Sequence, residues 1–301
     1  MLHHRYSVMG TTGNTLTYSG ALTALHQRTQ TEANQLIRAE WKVEKNGNTL
    51  KLYLEQPRYQ RVGLNVSWRS PHLKLNIPNT ETIKITTSNG SVNIRSINGN
   101  CVVQTSNAPI SMFDIKGTAN LKTSNGSITL KSIEGSVIAD DSNGSIRASS
   151  IHGTTNLHTS NAAVNLDNMV GPVTAYNNNG AIMAASNIDG NWDLETSNAR
   201  IALSVPSRTN AKTHASTSHG SINGNVHWIS SPSGQHVCIL GRGLRRVALN
   251  TSNGSISKYY PHAFAQAKQL TRPKNYDKIQ KQTGQHQEMR EDPPPGGSLE
   301  G

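Results

Sequence analysis

Cysteine is almost missing from this chain of 301 residues: Cys101 and Cys238 are its only two. That excludes the small secreted domains that disulfides hold together. Aromatic residues make up 5% of the chain, with two phenylalanines, and hydrophobic residues only 34%. A globular core of ordinary thickness would be undersupplied, whereas a thin stack of repeats buries only a narrow strip per turn. No run approaches the roughly 20 apolar residues that cross a bilayer as a helix. The first residues, MLHHRYSVMGTTG, have no apolar signal core, so no export signal is expected in the chain as written.

Chemical signatures are missing too. The serines form no Gly-x-Ser-x-Gly elbow. Gly241-Arg-Gly243 is an isolated turn, followed by neither a phosphate loop nor a dinucleotide fingerprint. The histidines include no helical i,i+4 pair around a glutamate, and the turns lack the aspartate of calcium-binding nonapeptides. The chain is therefore expected to be no enzyme, and to hold no metal and no cofactor. Charge is basic, with 29 Lys and Arg against 18 Asp and Glu, but the excess is spread: +6 over residues 1–85, +3 over 86–257 and +2 over 258–301. A spread excess favours solubility, and no nucleic-acid partner is expected without a basic stripe.

What the chain has in abundance is one phrase, Thr-Ser-Asn-Gly-Ser, returning every 18 residues. Its asparagines fall at Asn89, Asn107, Asn125, Asn143, Asn161 and Asn179. A second series lies half a period away, at Gly99, Gly117, Gly135, Gly153 and Gly171; both then slip by one residue, to Gly190 and Asn198. Apolar residues alternate between the two markers, as in Ile128-Thr-Leu130 and Val137-Ile-Ala139. Alternation of period two predicts strands, and a fixed long period predicts a solenoid. The expected fold is all-β: a parallel β-solenoid, single-stranded and β-helix-like, of about 18-residue coils with an N-terminal α+β cap.

The inward set follows from the alternation. One wall reads Val92/Ile94, Ile110/Met112, Ile128/Leu130, Ile146/Ala148, Val164/Leu166 and Ile182/Ala184. The facing wall reads Cys101/Val103, Ala119/Leu121, Val137/Ala139, Thr155/Leu157, Val173/Ala175 and Trp192/Leu194, which makes Cys101 a small buried hydrophobe. Ile97, Ile115, Ile133, Ile151 and Met169 close the strip at a corner. The glycine series predicts positive φ, and the asparagines are expected to form an amide ladder and to take the left-handed conformation themselves. A triangular coil of three six-residue faces has the same length, but every third anchor would be small or polar (Ser127, Ser145, Ala163), so two main sheets are preferred.

Three segments are expected. Residues 1–86 form a cap, with a strand at Leu22–Leu25, a helix over Glu32–Glu40 and a hairpin of Trp41–Glu44 with Leu50–Leu54. Strands Leu64–Trp68 and Leu73–Ile77 then feed the first coil. Residues 87–258 form the solenoid, with a terminal hairpin and loop at 205–250, a degenerate repeat at Ser218–Ile222 and a last clean turn at Thr251–Ile256. Residues 259–301, rich in Lys, Gln, Pro and Gly, read as a disordered tail.

In a solenoid, outward residues one coil apart stand side by side. The column Asp140, His158, Tyr176, Glu195, with Asp141 and Asp193 nearby, is the candidate ligand-binding surface. Seven of the eight acidic residues of segment 86–257 fall between Glu134 and Glu195. Trp192, Tyr176 and Phe113 are candidate platforms for sugar stacking. Arg242, Arg245 and Arg246 read as a solvated edge.

The order of these features resembles a known family. A strand–helix–hairpin opening leads to Leu73-Lys-Leu-Asn-Ile-Pro78, then to serial Thr-Ser-Asn-Gly-Ser-Ile turns, and closes on Gly241–Ile256 with its Leu-Asn-Thr-Ser-Asn-Gly-Ser-Ile. It is similar to the bacterial "putative adhesin" domains, domain of unknown function 4097, over about residues 5–258. That resemblance implies a parallel β-solenoid, supplies no catalytic residues, and implies a cell-envelope or extracellular location. The expected function is a non-enzymatic binding or structural module, with a surface glycan or envelope protein as partner and self-association open. The alternatives are a carbohydrate-active β-helix enzyme using Asp140, His158 and Glu195, and an intracellular self-assembling scaffold.

Overall fold

The structure is a computed structural model that describes residues 5–11, 17–26, 40–46, 49–55, 66–78, 82–231 and 235–260. Each coil contributes one strand to each of two sheets. The first sheet has twelve strands, in the order β2 (Thr17–His26), β5 (Val66–Pro78), β1 (Arg5–Thr11), β7 (Ser91–Asn98), β9 (Ile110–Lys116), β11 (Ile128–Glu134), β13 (Ile146–His152), β15 (Val164–Val170), β17 (Ile182–Ala185), β19 (Ile201–Ser204), β25 (Ile256–Tyr259) and β21 (Ile222–Gly224). The second has eleven: β22 (Ile229–Ser230), β23 (His236–Leu240), β20 (Ala211–Thr217), β24 (Arg245–Thr251), β18 (Trp192–Thr196), β16 (Val173–Asn177), β14 (Thr155–Thr159), β12 (Val137–Asp141), β10 (Ala119–Lys122), β8 (Asn100–Gln104) and β6 (Thr82–Thr86). The expected hairpin is β3 (Glu40–Asn46) paired antiparallel with β4 (Thr49–Glu55). No helix occurs among the described residues. The helix expected over Glu32–Glu40 lies outside them, apart from Glu40, which begins β3, and so does the tail from residue 261.

Coils stack parallel and in register, so Ile128 lies between Ile110 and Ile146 while Val137 lies between Ala119 and Thr155. The alternating residues of both walls are buried, as are Ile97, Ile115, Ile133, Ile151 and Met169 at the corner. Burial pushes the Cys101 thiol up to about 12, the behaviour of a small hydrophobe rather than a nucleophile. The corner is built differently from the sequence expectation. The left-handed residues are Ser96, Asp114, Ser132, Ser150 and Asn168, at φ of 50 to 57°, and not the asparagines of the repeat phrase. Each lies inside a strand as a kink repeated in register from coil to coil, puts two successive side chains outward, and lets the next aliphatic turn in. Short polar side chains tolerate that conformation best. Three residues on, Gly117, Gly135, Gly153 and Gly171 have φ between 113 and 154°, as expected of the series, whereas Gly99 and Gly190 at its two ends do not take a positive φ.

The asparagines do form the amide ladder. Each Nδ2 donates to Oδ1 of the preceding coil at 2.7 to 2.9 Å, unbroken from Asn89 through Asn107, Asn125, Asn143, Asn161, Asn179 and Asn198 to Asn253. Beneath it runs a second, buried column two residues earlier. The side-chain oxygen of Thr123, Asn177 or Thr251 accepts from the glycine N–H three residues on, while its donor reaches the carbonyl of the coil before. Thr159 and Thr196 make the same inter-coil bond at 3.0 Å. At these five rungs the polar side chains are satisfied between coils, as burial requires, while the hydroxyl of Thr105 in the same column is buried without a partner among the described residues.

Asp141 is the charged misfit in that column. Its Oδ1 accepts from the Asn143 and Gly144 N–H groups, but its Oδ2 is buried without a partner among the described residues. An ionised carboxylate has no proton to donate where its neighbours donate, and burial raises its pKa above the usual carboxylate value. A raised folded-state pKa means that Asp141 favours the fold at pH below the ordinary carboxylate range and opposes it as pH rises through the higher value. The substitution Asp141→Asn restores the donor that Asn177 supplies two coils on. It is expected to stabilise the chain by roughly 1 kcal/mol at pH 7 and by little at pH 4, the difference being read from urea melts at both. A larger gain at pH 4 would contradict this.

Both ends break the chain order. Strand β1 is inserted between β5 and β7, parallel to each, so the segment before the first coil does not stack on it directly. The expected strands at 64–68 and 73–77 are one strand, β5, and β1 had no counterpart in the sequence expectation. At the other end the chain leaves a gap of one coil after β19, lays down β20 and β21, turns back through antiparallel β23, and fills the gap with β24 and β25. The clean turn Thr251–Ile256 is therefore second from the end, and the degenerate Ser218–Ile222 is the outermost copy. This end of the fold holds a fully buried lysine, Lys258, in the inward register of Leu203.

Candidate functional site

The outer face of the second sheet carries the column read from the sequence. Parallel pairing sets Lys122, Asp140, His158, Tyr176, Glu195 and Asn250 side by side across six neighbouring strands. Neighbouring strands lie about 4.8 Å apart, so the row is a straight strip of alternating chemistry. His158 Nδ1 lies 3.8 Å from Asp140 Oδ1, an ion-pair separation when the imidazole is protonated rather than a hydrogen bond. The imidazole stacks on the Tyr176 ring with centroids 5.3 Å apart and planes inclined by 27°. Tyr176 is exposed, and its neighbours in the row are half-buried or exposed.

The other sequence candidates divide. Asp193 is exposed on the same face, one step along β18 from the column. Asp141 is not part of it: adjacent residues of a strand point to opposite faces, and Asp141 is buried in the corner column. Trp192 cannot stack a sugar. It is 2% exposed in the inward register, and its Nε1 donates to the Gly171 carbonyl at 3.2 Å. Phe113 lies on the outer face of the first sheet, half-buried, with the Arg95 guanidinium 4.8 Å from its ring centre, so that cation already occupies it. Arg242, on the turn before β24, and Arg245 and Arg246, at the start of that strand, are exposed, as a solvated edge requires. The outward rows of Val102 and Ile138 were not singled out from the sequence; both are exposed aliphatics one step from the column residues Gln104 and Asp140.

Among the described residues no three His, Cys, Asp or Glu side chains converge to hold a metal ion. No described helix is long and apolar enough to cross a membrane.

No curated relative matches the chain. A crystal structure of a "putative cell adhesion protein" from Clostridium sporogenes aligns with 86% of this chain and 88% of its own, at 13% identity and a TM-score of 0.27. The Toastrack DUF4097 family matches over residues 21–257, which contain the hairpin, nearly all of β5 to β25 and the whole asparagine ladder. With most of its length matched in this way, the chain belongs to the Toastrack DUF4097 family.

Proposed function

We propose that the chain is a non-enzymatic binding module of the cell envelope, an adhesin whose contact surface is the outer face of the second sheet. The observation that carries this reading is the stacked His158–Tyr176 pair, exposed at the centre of a straight row with Asp140 on one side and Glu195 on the other. Aromatic faces take the apolar side of a sugar ring, and flanking carboxylates accept from its hydroxyls. Repetition at the strand spacing suits an extended ligand, because one coil after another meets it in the same register.

The geometry disfavours the enzymatic alternative. Asp140 and Glu195 stand three strands apart, on the order of 14 Å, beyond the separation of about 5 to 10 Å at which two carboxylates share a glycosidic bond.

The test has two arms. The chain, fluorescently labelled, is applied to a panel of envelope glycans and to intact host cells. The double variant His158→Ala/Tyr176→Ala is expected to lose at least about tenfold in binding, since stacked aromatic contacts of this kind contribute about 1 kcal/mol or more each. Protease applied to intact cells of the native host is expected to cleave the chain. Undiminished binding by the variant would remove the proposed face, and a chain protected in the soluble fraction would remove the envelope location.

A further inference from the structure

Three departures from the repeat meet at one place. The coil from Gly171 to Gly190 spans 19 residues instead of 18. Its corner, Ser186-Asn187-Ile188-Asp189-Gly190, has no left-handed residue, and strand pairing stops at Ala185. The Ser186 hydroxyl replaces the lost pairing by bonding both the N–H and the carbonyl of Met169, at 2.8 and 3.0 Å. The second departure is the excursion 205–210 between β19 and β20, and the third is the turn 241–244 that brings the chain back into the gap. Asn210 ties these two together: its Oδ1 accepts from the Arg242 N–H at 3.0 Å and its carbonyl accepts from the Arg245 N–H at 3.1 Å.

Between them lies an open cleft of about 360 Å³. Two arginines from separate segments line it, Arg208 and Arg245, with one acidic residue, Asp189. Among the described residues none of the three is engaged in an ion pair. The Thr209 hydroxyl in its wall is buried, at 7% exposure, and has no hydrogen-bond partner among the described residues. On the rim Leu244 is 69% exposed, the largest exposure of any bulky apolar side chain described, with buried Ile188 on the facing wall.

We infer that this cleft binds a hexuronic acid, a sugar with one carboxylate. The arginines match a carboxylate through charge-assisted, fork-like bonds. Asp189 accepts from sugar hydroxyls but repels a second negative charge, which disfavours phosphate and sulfate. The apolar ring face covers Leu244. A cleft near the lower end of the range for ligand pockets holds about one sugar residue. Insertions in repeat proteins commonly gather on the binding face, and these three do so independently of the His158–Tyr176 row.

Calorimetric titration of the full chain with D-galacturonate tests the proposal, with D-galactose, acetate and inorganic phosphate as controls. Saturable binding is expected for galacturonate, with each control weaker by at least about tenfold. The variant Arg208→Gln/Arg245→Gln, both side chains being exposed, is expected to lose at least about tenfold while melting as wild type does. The His158→Ala/Tyr176→Ala variant is expected to bind galacturonate normally, which keeps this site distinct from the sheet face. The α-1,4-linked trimer separates two sources of the same chemistry: tighter binding than the monomer marks an acidic glycan, and equal binding marks the free acid, both in support. Absence of saturation, acetate or phosphate binding as well as galacturonate, or affinity unmoved in the arginine variant would each overturn it.

Discussion

Replacing Gly135 with alanine is expected to destabilise the chain by about 3 kcal/mol or more. Two penalties coincide at this position. Its φ of +150° lies where only glycine is at ease, and a Cβ there would fall on the backbone carbonyl of Gly117 in the coil before. Neither side can yield cheaply, because Gly117 and Gly153 hold the same conformation in coils stacked on both flanks. Gly243 provides the comparison. Its φ is also positive, +64°, but an added Cβ would meet side-chain atoms, Ile239 Cγ2 at 3.3 Å and Lys212 Cβ at 3.6 Å, and no backbone atom nearer than 4.0 Å. The Gly243→Ala variant is therefore expected to lose about 1 kcal/mol, the left-handed penalty alone. Urea denaturation of both variants separates the causes. Since each coil of a solenoid contacts only its neighbours, Gly135→Ala is also expected to broaden the transition as the two flanks uncouple. Equal losses in the two variants would show that conformation, and not close stacking, sets the glycine requirement.

The second large effect is a gain. Lys258 occupies an inward position that Leu203 fills in the next strand, and it is 1% exposed. Its Nζ donates to Thr213 Oγ1 and to Cys238 Sγ, the latter at 3.7 Å, and lies 6.0 Å from the centre of the Trp228 ring. No carboxylate faces it among the described residues. Burial lowers its pKa, with Cys238 opposing the shift. For a base with a depressed folded-state pKa, the charged form is penalised in the fold, so stability rises as pH climbs from the lowered value toward 10.5, the ordinary one. Lys258→Met keeps the volume and removes the charge. It is expected to stabilise the chain by about 3 kcal/mol at pH 7, with the advantage shrinking by pH 10, as urea melts at the two pH values would show. A Lys258→Met variant less stable than wild type at pH 7 would mean that the bonds to Thr213 and Cys238 outweigh the cost of burial.

How much was legible in the sequence depends on whether a feature repeats. The Asp140–His158–Tyr176–Glu195 row was readable because one residue per coil, at a period of 18 with a single slip to 19, lands on one line of one face. The same period named Ile128 and Leu130 as core and Asn125 as a rung of the ladder. Trp192 was readable as an inward residue and misread as a sugar platform; alternation had already assigned its face. The left-handed series at Ser96, Asp114, Ser132, Ser150 and Asn168 had a signal that went unused, an 18-residue row of short polar residues three places before each glycine. The cleft had only a partial one. The slip before Gly190 marked one wall, but Arg208 and Arg245 come from segments with no common period.

The sequence by itself determined the coil: its length, its inward residues, its corners and its amide ladder, because in-register parallel stacking follows from the relation between residue i and residue i+18 alone. Only the tertiary structure decided how the stack ends. Which strand covers a free sheet edge is a choice among distant partners, and no local pattern encodes it. Even so, the quality of the repeats reflects the outcome. Asn253 belongs to a clean copy because it has a coil on either side, bonded below to Asn198, whereas His219 stands in the outermost copy, where the ladder stops and no further rung needs an asparagine.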